Sequence, residues 1–202
     1  MSLSDSQIKD LCVKMRIPFG DCCFKDELPE ELEFNKGYFI NLEDSVDQDG
    51  KPAYGTHWTF VECIKYPTGE TNAIYFDPYG VSPPENVKRV VKNTIKKEGL
   101  PYTKKDIQSL MNNACGFYCL AFAHYINSSI FRTGNIFHDV ECFMELFEDL
   151  NTSTDFKKNE YILKMFFRSE DPKLRKEIDV ISSEDVAGEI DGFKIPVDVK
   201  YL

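Results

Sequence analysis

The 202 residues carry 42% hydrophobic and 29% charged side chains, the balance of a globular domain large enough to bury a core without metal or disulfide staples. A net charge of −10 argues against a general nucleic-acid binder, because neutralising phosphates takes a basic surface, and no stretch approaches the roughly 18–20 apolar residues of a membrane span. Met-Ser-Leu-Ser-Asp-Ser-Gln at the N-terminus lacks the basic start and apolar run of a signal peptide, so a reducing cytosol or nucleus is expected, where the seven cysteines would be free thiols.

In chain order, Ser4 and Gln7 form a capping-box pattern ahead of Ile8, Leu11, Cys12 and Met15 at helical spacing, and Pro18 ends that helix. Residues 19–36 mix Gly, Pro and acids around Cys22 and Cys23 and read as loop. Gly37 to Leu42 reads as a strand, followed by a turn-rich acidic connection from Asp44 to Gly50. His57 to Tyr66 and Asn72 to Asp77 are two more strands, and the Gly-containing turn between them indicates an antiparallel hairpin. The start of its first strand and the end of its second share one edge, which brings His57 and Asp77 together. A helix follows, opened by Pro83 and Pro84 and closed before Gly99. From Cys115 the chain is apolar nearly all round, as in a helix at the centre of a domain. Amphipathic helices are expected near 136–150 and 156–168, with the domain spanning 1–168 and 169–202 forming a polar tail.

Cysteine chemistry runs through the thiolate, which needs a helix N-terminus at the sulfur, an imidazole in reach and an acceptor to orient the imidazole. Cys115 opens the buried helix, so the positive end of its dipole favours the thiolate. His57 is the expected base, with Asp77 accepting its Nδ1 hydrogen. Gln108, seven residues before the cysteine, would join the Cys115 N–H in an oxyanion hole, a contribution on the order of 3 kcal/mol per donor. Gly116 lets backbone or substrate approach closely. Singly, each has a plainer reading: a buried thiol, a half-buried strand histidine, a turn aspartate before proline. Their joint order raises them. Cys119 shares the Cys115 face, and a zinc site with His57 is conceivable, but no second paired Cys/His cluster supports one. His124 is out of phase with the sulfur, and His138 reads as structural.

Gly55-Thr-His57-Trp58, then Tyr75-Phe-Asp77-Pro-Tyr-Gly80, then Gln108 through Asn113-Ala-Cys115-Gly-Phe-Tyr-Cys119 resembles the adenovirus maturation protease (adenain) and its wider relatives, the SUMO-specific proteases. By size the chain is similar to the virophage (Mavirus-like) enzymes. The resemblance implies an α+β, papain-like fold with a central antiparallel sheet flanked by helices, and endopeptidase action on capsid or virion precursors at apolar-x-Gly-x sites. It further implies a place in the host cytoplasm and the virion, and a Trp58 that walls the active site beside His57. The adenovirus enzyme has Glu where this chain has Asp77. It is basic and takes DNA and a disulfide-linked peptide as cofactors; this chain is acidic and has no cysteine within 78–107, so no cofactor is expected. A monomer acting on protein substrates is expected, with Gly-Gly isopeptide cleavage, as in deSUMOylases or deubiquitinases, and a silent binding module as alternatives. Two further features stand apart. Seven basic residues between Lys88 and Lys105 are either a solvated face or a dock for an acidic partner or polymer. In the tail, Val186-Ala-Gly188-Glu189 and Ile190-Asp-Gly192-Phe193 match the cleavage pattern, as a self-cleaved segment, a product mimic or a chance match.

Overall fold

Strand β3 (Trp58–Lys65) has seven of its eight residues buried, and a strand buried on both faces lies in the middle of a layered structure. A computed structural model describes residues 3–53, 55–110, 112–128, 133–151 and 153–167. In it β3 pairs antiparallel with β2 (Gly37–Asn41) on one side and with β4 (Thr71–Phe76) on the other. A fourth strand, β1 (Phe19–Phe24), extends the sheet in the order β1-β2-β3-β4 and pairs parallel with β2. The architecture is α+β, a four-stranded sheet flanked by helices. The β3–β4 hairpin and the antiparallel centre of the sheet are as expected, but β1 lies where the sequence reads as loop. Gly20 and Asp21 interrupt the alternation there, and adjacent Cys22 and Cys23 are both buried, one on each side of the pleat. A parallel partner needs a crossover of about a dozen residues, which the segment holding a short 3-10 helix, Lys25–Glu27, supplies.

Alternate residues of the sheet face two cores. Phe39, Trp58, Phe60, Ile64, Ile74 and Phe76 point to one side. There they meet α1 (Asp5–Lys14), α3 (Cys115–Asn127), α4 (Ile136–Glu145) and α5 (Ser153–Phe166). Tyr38, Ile40, Val61, Cys63 and Tyr75 point to the other, against Val87, Val90, Val91 and Ile95 of α2 (Glu85–Ile95). Ser4 caps α1 as its sequence indicates, accepting from Gln7 N–H while Gln7 Oε1 accepts from Ser4 N–H. Helix α2 stops earlier than Gly99, because Lys96 already takes a left-handed conformation. Aromatic rings lock α3 to the sheet and to α4: Phe122 stacks on Phe76 at 4.3 Å, and Phe143 meets both edge-on.

Eleven of the thirteen α3 residues are buried, so the helix is enclosed and its first turn is fixed by packing on all sides. Among the polar residues buried in the sheet, Glu62 is the ionisable one, 1% exposed, and its carboxylate accepts from Asn127 Nδ2 at 2.8 Å; a buried charge needs such a partner.

Candidate active site

The β3–β4 register pairs Phe60 with Phe76. Continued three residues outward, it sets His57 opposite Tyr79, just past the ends of both strands. Asp77-Pro-Tyr-Gly80 forms a turn closed by Gly80 N–H donating to the Asp77 carbonyl at 2.9 Å, with Pro and Gly where a type I turn favours them. The turn is tight: Gly80 has φ +68, and a Cβ there would run into the Lys104 carbonyl. Asp77 is wholly buried, and its Oδ1 accepts both Tyr79 N–H at 2.8 Å and His57 Nε2 at 3.0 Å.

Pairing through Nε2 corrects the expectation that Asp77 would take the Nδ1 hydrogen. Nδ1 is buried without a hydrogen-bond partner among the described residues, which leaves it as the nitrogen available to the thiol. Burial acts against the imidazolium. The hydrogen bond to Asp77, with the charges of Asp77 and the Cys115 sulfur, outweighs it and raises the His57 pKa to about 9. The ring is therefore largely protonated at neutral pH, a cation beside the sulfur.

Cys115 is the first residue of α3 and only 2% exposed. Two groups present donors to the sulfur there: the helix N-terminus and the Trp58 backbone N–H, 3.4 Å from Sγ. The Cys115 N–H has no acceptor within the helix, as for any first-turn residue, so it can bind an incoming oxyanion. His57, Asp77 and Cys115 thus come together as expected, in an arrangement able to generate a nucleophilic thiolate.

Gln108 is also brought to the site, held by its N–H and that of Ile107 on the Pro78 carbonyl at 3.2 and 2.9 Å. Its amide does not point freely at the sulfur: Nε2 donates to Asn112 O at 3.0 Å and to Tyr79 Oη at 3.1 Å. Consecutive residues of α5 clasp this loop. Asn159 Nδ2 donates to the Ile107 and Glu148 carbonyls at 3.1 and 2.9 Å, and Glu160 accepts from Asn112 Nδ2 at 2.7 Å.

No protein-family model matches the chain, and no curated protein matches it. Among solved structures it is similar to the ASFV pS273R protease, at 17% identity and a TM-score of 0.41, over 80% of this chain and 66% of that one.

The two residues expected to contact substrate are turned inward. Trp58 is 5% exposed, and its indole N–H donates to the Leu3 carbonyl at 2.8 Å, the acceptor a buried indole requires. Gly116 is buried against the same segment, and a Cβ on it would lie 3.2 Å from Leu3 Cδ1 and 3.4 Å from Trp58 Cδ1. Both pack against the N-terminal segment at Leu3. Cys119 donates to the Trp58 carbonyl at 3.3 Å, and burial holds its thiol well above the usual range. Burial lowers the His124 pKa against a hydrogen bond to the Met15 backbone, and His138 lies on the surface by Glu141. Among the described residues no three His, Cys, Asp or Glu side chains converge as a metal site, and no helix is long and apolar enough to cross a membrane.

Carboxylates thread the Lys88–Lys105 region. Lys88 pairs with Glu85 and Lys96 with Glu31 at 2.6 Å each, Lys92 with Glu98, and Lys105 with Asp149 at 3.5 Å. The 169–202 tail and its two apolar-x-Gly-x sites lie outside the described residues. Sequence reasoning did not single out Tyr79, Asn112, Asn159 or Glu160. Only Tyr79 carried a signal, its place opposite His57 across the hairpin.

Proposed function

We propose that the protein is a cysteine endopeptidase with Cys115 as nucleophile and His57 as acid and base. The observation that supports this most directly is the buried Asp77–His57 pair at 3.0 Å beside a thiol at the N-terminus of an enclosed helix. The reaction begins with the thiol proton on His57 Nδ1. The thiolate attacks the scissile carbonyl carbon, an S–C bond forms, and the carbonyl electrons move to oxygen. The Cys115 N–H steadies that oxyanion. Collapse expels the amine, which takes the His57 proton and leaves a thioester on Cys115. Water, deprotonated by His57, then releases the acid and restores the thiol. Asp77 holds the ring with Nδ1 toward the sulfur.

By its resemblance to adenain-like enzymes, the substrates are capsid or virion precursors cut at apolar-x-Gly-x sites in the infected cell and the virion. The monomer acts without DNA or a peptide cofactor. A cleft of about 790 Å³ lined by Leu42, Asp44, Val46, Ala53 and Thr56 ends beside His57 and offers space for an extended chain on that side.

Peptides bearing apolar-x-Gly-x sites, and separately ubiquitin and SUMO vinyl-sulfone probes, test the reading, with Cys115→Ala as control. Peptide cleavage that disappears in Cys115→Ala is expected. Labelling by a modifier probe without peptide cleavage would replace it with an isopeptidase, and neither reaction would leave a binding module.

A further inference from the structure

Gln108 stands where an oxyanion donor is expected, yet both of its amide hydrogens are engaged, one on the Asn112 carbonyl and one on the Tyr79 hydroxyl. A carbonyl can only accept, so the Asn112 contact fixes Nε2, not Oε1, on that side of the amide. Oε1 is buried with no hydrogen-bond partner among the described residues. Tyr79 Oη accepts from Gln108, which leaves its own O–H to donate.

Tyr79 touches three members of the constellation. Its N–H donates to Asp77 Oδ1 at 2.8 Å, its ring stacks on His57 with centroids 4.6 Å apart, and its hydroxyl meets Gln108. Burial, then the nearby Cys115 and Asp77 charges, push the phenol up to about 12, so it keeps its proton across the neutral range.

We propose that the Tyr79 hydroxyl is the side-chain donor to the oxyanion and that Gln108 is a positioning residue acting through it. This rests on the protease reading above. Tyr79 O–H and Cys115 N–H then face the developing charge. Gln108 donates to the Tyr79 oxygen, which aims the hydroxyl outward and strengthens it as a donor. No proton changes owner in this chain of bonds.

Tyr79→Phe keeps the ring and removes the hydroxyl, and Gln108→Ala removes the support behind it. The assay uses a fluorogenic apolar-x-Gly-x peptide, capture of the matching peptide aldehyde, and alkylation of Cys115 by iodoacetamide, which builds no oxyanion. In Tyr79→Phe, kcat should fall by about 10²-fold, with KM and the alkylation rate within about twofold of wild type and aldehyde capture weakened in parallel with kcat. Adding Gln108→Ala to Tyr79→Phe should cost nothing further, since residues acting as one unit are not additive. A Tyr79→Phe kcat within threefold of wild type, multiplying effects in the double variant, or a collapse of alkylation would each overturn the assignment. A wild-type protein that neither cleaves the peptide nor captures the aldehyde would instead overturn the protease reading.

Discussion

Replacing Asp77 by Asn keeps the size of a wholly buried side chain while removing the charge that faces His57 Nε2. Raising the imidazole from 6.5 to about 9 corresponds to about 3 kcal/mol in favour of its charged form. Burial works against that charge, and only Asp77 and the Cys115 sulfur support it. With Asp77 neutral, the histidine should titrate near or below its ordinary value. At pH 7.5 the protonated fraction then drops roughly tenfold, and the ring also loses the acceptor that selects its tautomer. Together these lower kcat/KM by about 10²- to 10⁴-fold. The pH profile of kcat/KM reads the free enzyme: wild type should keep its activity up to an alkaline limb near 9, and Asp77→Asn should show that limb below 7. An Asp77→Asn profile with its limb still near 9, or activity within threefold of wild type, would refute the role given to the carboxylate.

The same proton links activity to stability. A histidine whose folded pKa is raised stabilises fully below 6.5, and the contribution is lost as pH rises through about 9. Urea midpoints of the wild type should therefore fall between pH 6.5 and 9.5, and those of Asp77→Asn should stay flatter. Asn159→Ala strips three hydrogen bonds, one from the buried Ile107 carbonyl and two from the part-buried backbone of residue 148. It should cost about 2–4 kcal/mol in denaturant unfolding and reduce peptide hydrolysis more than iodoacetamide alkylation. Gly80→Ala forces a Cβ onto the Lys104 carbonyl at a positive φ. A loss of about 1–3 kcal/mol is expected, read as a lower melting temperature, together with slower hydrolysis because Tyr79 adjoins the distorted turn.

Local rules made the centre of this site legible. The hairpin turn brought His57 and Asp77 to one edge, and an apolar run opening at Cys115 marked the enclosed helix. What stayed hidden depends on contacts between distant segments. Strand β1 has a parallel partner reached only by a crossover, and Gly20-Asp21-Cys22-Cys23 carries no alternation to announce it. Which nitrogen of His57 meets Asp77 depends on how the folded chain seats the ring, which residue order alone does not encode. Gln108 kept its position but not its free hydrogens, because Asn112 and Tyr79 take them. Trp58 and Gly116 face Leu3, a residue 55 positions before Trp58, where substrate binding was expected.

The clasp between α5 and the loop of Gln108 sets a clock on the newly made chain. His57, Asp77, Gln108 and Cys115 have all been synthesised once residue 115 is added, but Asn159 and Glu160 follow up to 45 residues later. At roughly 5–20 residues per second, that is a delay of roughly 2–9 seconds. During it the thiol and its base exist on the ribosome beside a loop without its fastening. Under the proposed reading, a chain assembled in that order stays silent until nearly its whole domain has emerged, and one cut short before residue 159 would carry every reactive group and still hydrolyse poorly.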